Sequence, residues 1–107
     1  MEAKKLSGAR LRNFNGGMSD EAVRLATAMI ISNSTAYNKV MNFVESQNPI
    51  DEYQFTYFFE SVARLVALDE ETVKEFAARN SGSNCYVRMC KLARAIRNII
   101  NDEEAAL

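Results

Sequence analysis

Histidine is absent from this 107-residue chain, and with it the commonest general base near neutral pH and the commonest transition-metal ligand. Every catalytic triad that runs through an imidazole is excluded. One proline and four glycines are too few for the many turns of a β-sandwich. No stretch approaches the roughly 20 apolar residues of a membrane span, and residues 1–17 (MEAKKLSGARLRNFNGG) hold no apolar core of the signal-peptide type. The chain therefore reads as cytoplasmic, with no membrane partner. Its two cysteines, Cys85 and Cys90, are separated by about 140° on a helix and face different sides. They are expected as small, reduced, core-type residues and not as a disulfide.

Metal and cofactor chemistry find little purchase. Two thiols without further ligands do not make a zinc site. The triplets Asp69-Glu70-Glu71 and Asp102-Glu103-Glu104 lack the alternation and central glycine of a calcium loop. Gly16-Gly17 is followed by Met-Ser-Asp, where a phosphate cradle has Lys-Ser or Lys-Thr. No cofactor is implied, and the expectation is that the chain is not an enzyme.

What is present is the make-up of one globular domain, 48% hydrophobic and 25% charged, large enough for a single core. Residues 1–17 carry Lys4, Lys5, Arg10 and Arg12 against one glutamate and read as a basic arm, a candidate contact for nucleic acid. Residues 18–101 read as one all-α domain, a compact bundle of four to five helices, and residues 102–107 as an acidic tail. Ser19 is a good N-cap for a first helix to about Ser32, with Ala22, Leu25, Ala26, Met29 and Ile30 as its apolar stripe. A second runs to about Ser46 with Tyr37, Val40, Met41 and Val44 inward. The pattern leaves open whether these two are separate or one bent helix. Asn48-Pro49 forces a turn, a third helix spans about Ile50 to Leu68, and Asp69 caps a fourth to about Arg79. Ser83 caps a fifth to about Asn101, with fraying expected where acidic residues meet the negative end of the dipole. The third and fifth helices are expected at the centre.

Charge is sorted along the chain although the total is −1. Residues 1–12 sum to +3, 13–50 to −1, 51–75 to −5, 76–100 to +5 and 101–107 to −3. The fifth helix puts Cys85, Met89, Leu92, Ala93, Ile96, Ile99 and Ile100 in one arc of about 120°. Arg88, Lys91, Arg94 and Arg97 lie on its other side. Two readings follow. Either they form a solvated face paired internally with Glu70, Glu71 or Glu75, or they meet an anionic partner. In the third helix Tyr53, Tyr57, Glu60 and Arg64 oppose the stripe of Phe55, Phe58, Phe59, Val62, Leu65 and Val66. A central helix packed on two sides explains that pattern, and so does an exposed Tyr/Arg contact surface of the hot-spot kind.

Residues 59–78 (FFESVARLVALDEETVKEFA) resemble the helix-turn-helix unit of DNA-binding proteins. The resemblance is carried by Val62 and Ala63 in the first helix, Ala67 and Leu68 at the turn, and Val73 and Phe76 in the second. It implies a second helix that enters the major groove. Here the leading and outward positions of that helix are Asp69, Glu70, Glu71, Lys74 and Glu75, and phosphates would repel its carboxylates.

The leading expectation is a small non-enzymatic regulatory or inhibitory protein that binds a macromolecule, foremost a protein, through charged helix faces. Its contact residues are Arg88, Lys91, Arg94 and Arg97, with Tyr53, Tyr57 and Arg64 as a second surface or a homodimer interface. The alternative is a helix-turn-helix-like nucleic-acid-binding regulator that also uses the Lys4/Lys5/Arg10/Arg12 arm.

Overall fold

The computed structural model describes residues 20–106, with side chains from Glu21 to Asp102. The basic arm and its Lys4, Lys5, Arg10 and Arg12, like the Ser19 cap, lie outside the described residues. The fold is all-α, five helices around one core: α1 Asp20–Ile31, α2 Ser34–Ser46, α3 Glu52–Ala67, α4 Glu70–Arg79 and α5 Asn84–Ala106. Among the described residues no helix is long and apolar enough to cross a membrane.

The chain breaks where short polar side chains can satisfy a helix start. Asn33 adopts extended geometry and its side chain accepts from the Ala36 N–H at 3.0 Å. The last carbonyls of α1 bond to the amides of Ser32 and Asn33, so α1 and α2 are two helices. Asp51 caps α3 through the Gln54 N–H at 2.9 Å, which starts that helix two residues later than the sequence pattern suggests. Asp69 caps α4 through the Thr72 N–H at 2.7 Å. Each such cap satisfies a donor that the helix itself leaves orphaned.

The core is drawn from all five helices. Val23, Ala26 and Ile30 of α1, Val40, Phe43 and Val44 of α2, Val62, Leu65 and Val66 of α3, Val73 of α4 and Met89, Ala93, Ile96 and Ile100 of α5 are buried together. α3 and α5 are central, each packed on both α1 and α2 and on one another. The second half of α3 is enclosed nearly all round, from Ser61 through Val66 with Arg64 half-buried. Ser61 tolerates this because its hydroxyl donates to the Tyr57 carbonyl at 2.7 Å, leaving no orphaned polar group.

Two expectations shift. The inward face of α2 is Ala36, Val40, Phe43 and Val44, rotated by about 60° from the expected stripe, with Tyr37 and Met41 at its edge. The apolar arc of α2 is wider than one stripe because the helix meets three neighbours, α1, α3 and α5. α5 continues to Ala106, past the Asn101 where the pattern suggested an end. Its final residues, Asp-Glu-Glu-Ala-Ala, include strong helix formers, and the dipole penalty is only about 0.3–1 kcal/mol per charge.

The segment that resembles a helix-turn-helix is the α3–α4 junction. Leu68 leaves α3 with extended geometry, fully buried, and Asp69 begins α4 directly. α4 then lies against α5, where Phe76 meets Tyr86 edge-on at 5.4 Å.

Candidate binding cleft

On α5 the basic residues recur every three positions. Three residues advance about 300° around a helix, so each successive member steps back by about 60°. Arg88, Lys91, Arg94 and Arg97 thus fan across half the circumference. Arg88 borders the apolar arc on one edge and Arg97 on the other, and the two ends meet different neighbours.

At the Arg97 end the charge is taken up by the fold. Arg97 is half-buried, and its guanidinium donates to the Val66 carbonyl at 2.7 Å, one of the acceptors that the end of α3 leaves open. Burial lowers the Arg97 pKa, while Asp69 and Glu70 nearby work against that shift. The Asp69 carboxyl is held below its ordinary value by the Thr72 side-chain and backbone hydrogen bonds first, and by Arg97 after them. Arg94 pairs with Glu70 at 3.8 Å, both side chains well exposed.

At the other end the arrangement is open. The Arg88 guanidinium sits over the Phe43 ring, 5.3 Å from its centroid, and donates to the Ser46 hydroxyl at 3.1 Å. Ser46 in turn donates to the Phe43 carbonyl at 2.6 Å. These contacts fix where Arg88 points and occupy only part of its five-donor fork. Beside it Lys39, Asn42 and Phe43 of α2 face Arg88, Lys91, Leu92 and Ala95 of α5 across a cleft of about 410 Å³. Both sets follow the i, i+3, i+4 spacing of a single helix face. The floor is apolar, from Leu92 and Ala95 with the buried Phe43 beneath, and the rim carries Lys39, Arg88 and Lys91. Among the described residues the one ion pair is Arg94 with Glu70, so no described carboxylate pairs with that rim.

Of the expected contact residues, Arg88 and Lys91 meet in the cleft, and Arg94 and Arg97 belong to the α3–α4 corner. Tyr53 is 79% exposed near the start of α3. Tyr57 is half-exposed and packs on Phe58 at 5.4 Å. The nearby Tyr57 hydroxyl first, and burial after it, hold the Tyr86 hydroxyl pKa above its ordinary value. Tyr57 therefore links α3 to α5, and Arg64 is half-buried on the same helix. Cys85 and Cys90 are both free thiols, and burial pushes the Cys90 thiol up.

Lys39, Asn42 and Phe43 were not singled out from the sequence. A signal for them existed: Lys39 is the only basic residue on α2, one turn from an aromatic side chain. Nothing in the pattern said that this face would stand opposite Arg88. A smaller, more enclosed apolar groove of about 290 Å³ lies elsewhere, lined by Ile31, Tyr37, Met41, Phe55 and Phe59. Comparison with protein-family models, with curated proteins and with solved structures finds no match to this chain.

Proposed function

We propose that this protein is a small non-enzymatic regulator or inhibitor that binds a carboxylate-rich segment of a partner protein in the α2–α5 cleft. The observation that carries this reading is the combination of Lys39, Arg88 and Lys91 at the rim, none of them ion-paired with a described carboxylate, and an apolar floor of Leu92 and Ala95. A basic rim steers an acidic partner and orients it, and an apolar floor supplies contact area that water does not compete for. The groups with displaced pKa values speak for a structural assignment elsewhere: Asp69 caps a helix, Arg97 closes one, Cys90 is buried in the core and Tyr86 meets Tyr57 between α5 and α3. None of them faces the cleft.

The nucleic-acid alternative draws on the same three cations, since a phosphate backbone also seeks such a rim. Against base reading by α4 stand Glu70, Glu71 and Glu75, all exposed on that helix. Fluorescence anisotropy with a labelled glutamate-rich peptide, and in parallel with a labelled DNA duplex, separates the two. Peptide binding that weakens with salt, and that falls at least about tenfold in the Lys39→Glu/Lys91→Glu double variant, supports the cleft. Duplex binding tighter than peptide binding transfers the function to the alternative. No binding of either probe at low salt overturns both.

A further inference from the structure

The turn between α2 and α3 displays apolar side chains on a rigid mount. Ile50 is 81% and Tyr53 79% exposed, the two largest exposures among the large hydrophobic side chains described. Asn48 occupies the left-handed region at φ 54°, a conformation Asn tolerates better than most residues. Pro49 follows with its fixed φ. The Ile50 N–H donates to Gln54 Oε1 at 3.0 Å, and the Gln54 N–H donates back to Asp51 Oδ1 at 2.9 Å. This reciprocal pair holds residues 50–54 in one conformation, so little ordering entropy remains to be lost on contact. Between the two apolar side chains sit Asp51 and Glu52, both exposed.

An exposed Ile-Asp-Glu-Tyr turn is apolar at its ends and acidic in its middle. The α2–α5 cleft is apolar on its floor and basic at its rim. We infer that the partner segment is this turn on a second copy of the chain, with Ile50 and Tyr53 against Leu92 and Ala95 and with Glu52 against Lys91. The inference rests on the cleft reading above and names its occupant. The turn and the cleft lie at the same end of α2: Ser46 accepts from Arg88, and the Cys85 thiol donates to Gln47 Oε1 at 3.7 Å. Each copy therefore offers both halves of the contact. A reciprocal arrangement closes as a dimer, and a head-to-tail one propagates. The same residues meet in both.

Sedimentation velocity over a range of concentrations, with charge reversals on either half, tests this. The wild-type chain should self-associate reversibly, and less so as salt rises. Lys91→Glu alone and Glu52→Lys alone should each weaken association at least about tenfold. An equimolar mixture of the two variants should recover it, because each then offers the charge that the other lacks. Circular dichroism of each variant, expected unchanged at these exposed positions, excludes unfolding as the cause. Monomeric wild-type protein at low salt, or a mixture that behaves as its two components do separately, overturns the inference. If the monomer still binds the glutamate-rich peptide, self-recognition falls and the cleft reading stands; if it does not, both fall.

Discussion

The two flanks of α5 start from the same chemistry and end in opposite states. On the α4 side Arg97 is half-buried and bonded to the Val66 carbonyl, and Arg94 leans on Glu70. On the α2 side Arg88 and Lys91 face Lys39 across an open cleft. The difference lies in what each flank meets. α3 ends and α4 begins beside Arg97, which brings open carbonyls and a cluster of acidic side chains. α2 brings a lysine. A basic residue beside a helix C-terminus and a carboxylate becomes part of the fold, whereas one beside another cation stays available.

The largest effect is expected at Arg97. Arg97→Ala leaves the Val66 carbonyl without its side-chain donor in a half-buried corner, a loss of about 1–3 kcal/mol. It should appear as a lower urea midpoint, with the affinity for a glutamate-rich peptide little changed. An equal loss of peptide binding would mean that the two flanks are one site.

Asp69 comes next. Asp69→Ala removes the α4 cap and should cost about 1 kcal/mol near neutral pH. The Asp69→Asn variant keeps a capping oxygen and deletes only the charge. Because the folded Asp69 pKa lies below the ordinary carboxylate value, its charge stabilises the fold above the unfolded pKa of about 3.9. That contribution is lost as pH falls through the lower folded value. The stability gap between wild type and Asp69→Asn should therefore close in acid; a gap that widens there contradicts the assignment.

Smaller effects belong to exposed charges. Arg94→Ala should lower stability by no more than about 0.5 kcal/mol, since an exposed pair is weak and screened, and high salt should erase the difference. Lys91→Ala should change the unfolding midpoint least, within about 0.5 kcal/mol in either direction, while weakening peptide binding. A Lys91 variant that unfolds readily would place this residue with Arg97 and dissolve the contrast between the flanks.

Much of the fold was legible because its signals are local. Asn33, Asp69 and Ser83 read as punctuation, and the apolar arc of α5 reads as a core stripe, as the burial of Met89, Ala93 and Ile96 bears out. Phe43 was less legible. It lies outside the stripe of Tyr37, Val40, Met41 and Val44, and its burial depends on α5 and the ring of Phe58, 6.4 Å away and edge-on. Cys90, expected as a core-type residue, is 2% exposed although it lies outside the apolar arc of α5. α4 widens the buried face there.

Helicity, most of the helix starts and stops, and the gathering of basic charge on the last helix are written in local residue patterns. Those properties depend on neighbours within a few residues, through caps, propensity and the 3.6-residue period. Which of those charges are used up depends on contacts between distant parts of the chain. Arg97 and Val66 are 31 positions apart and Arg88 and Ser46 are 42 apart. Whether a cation faces a carbonyl, a carboxylate or another cation across such distances is set by how the helices pack.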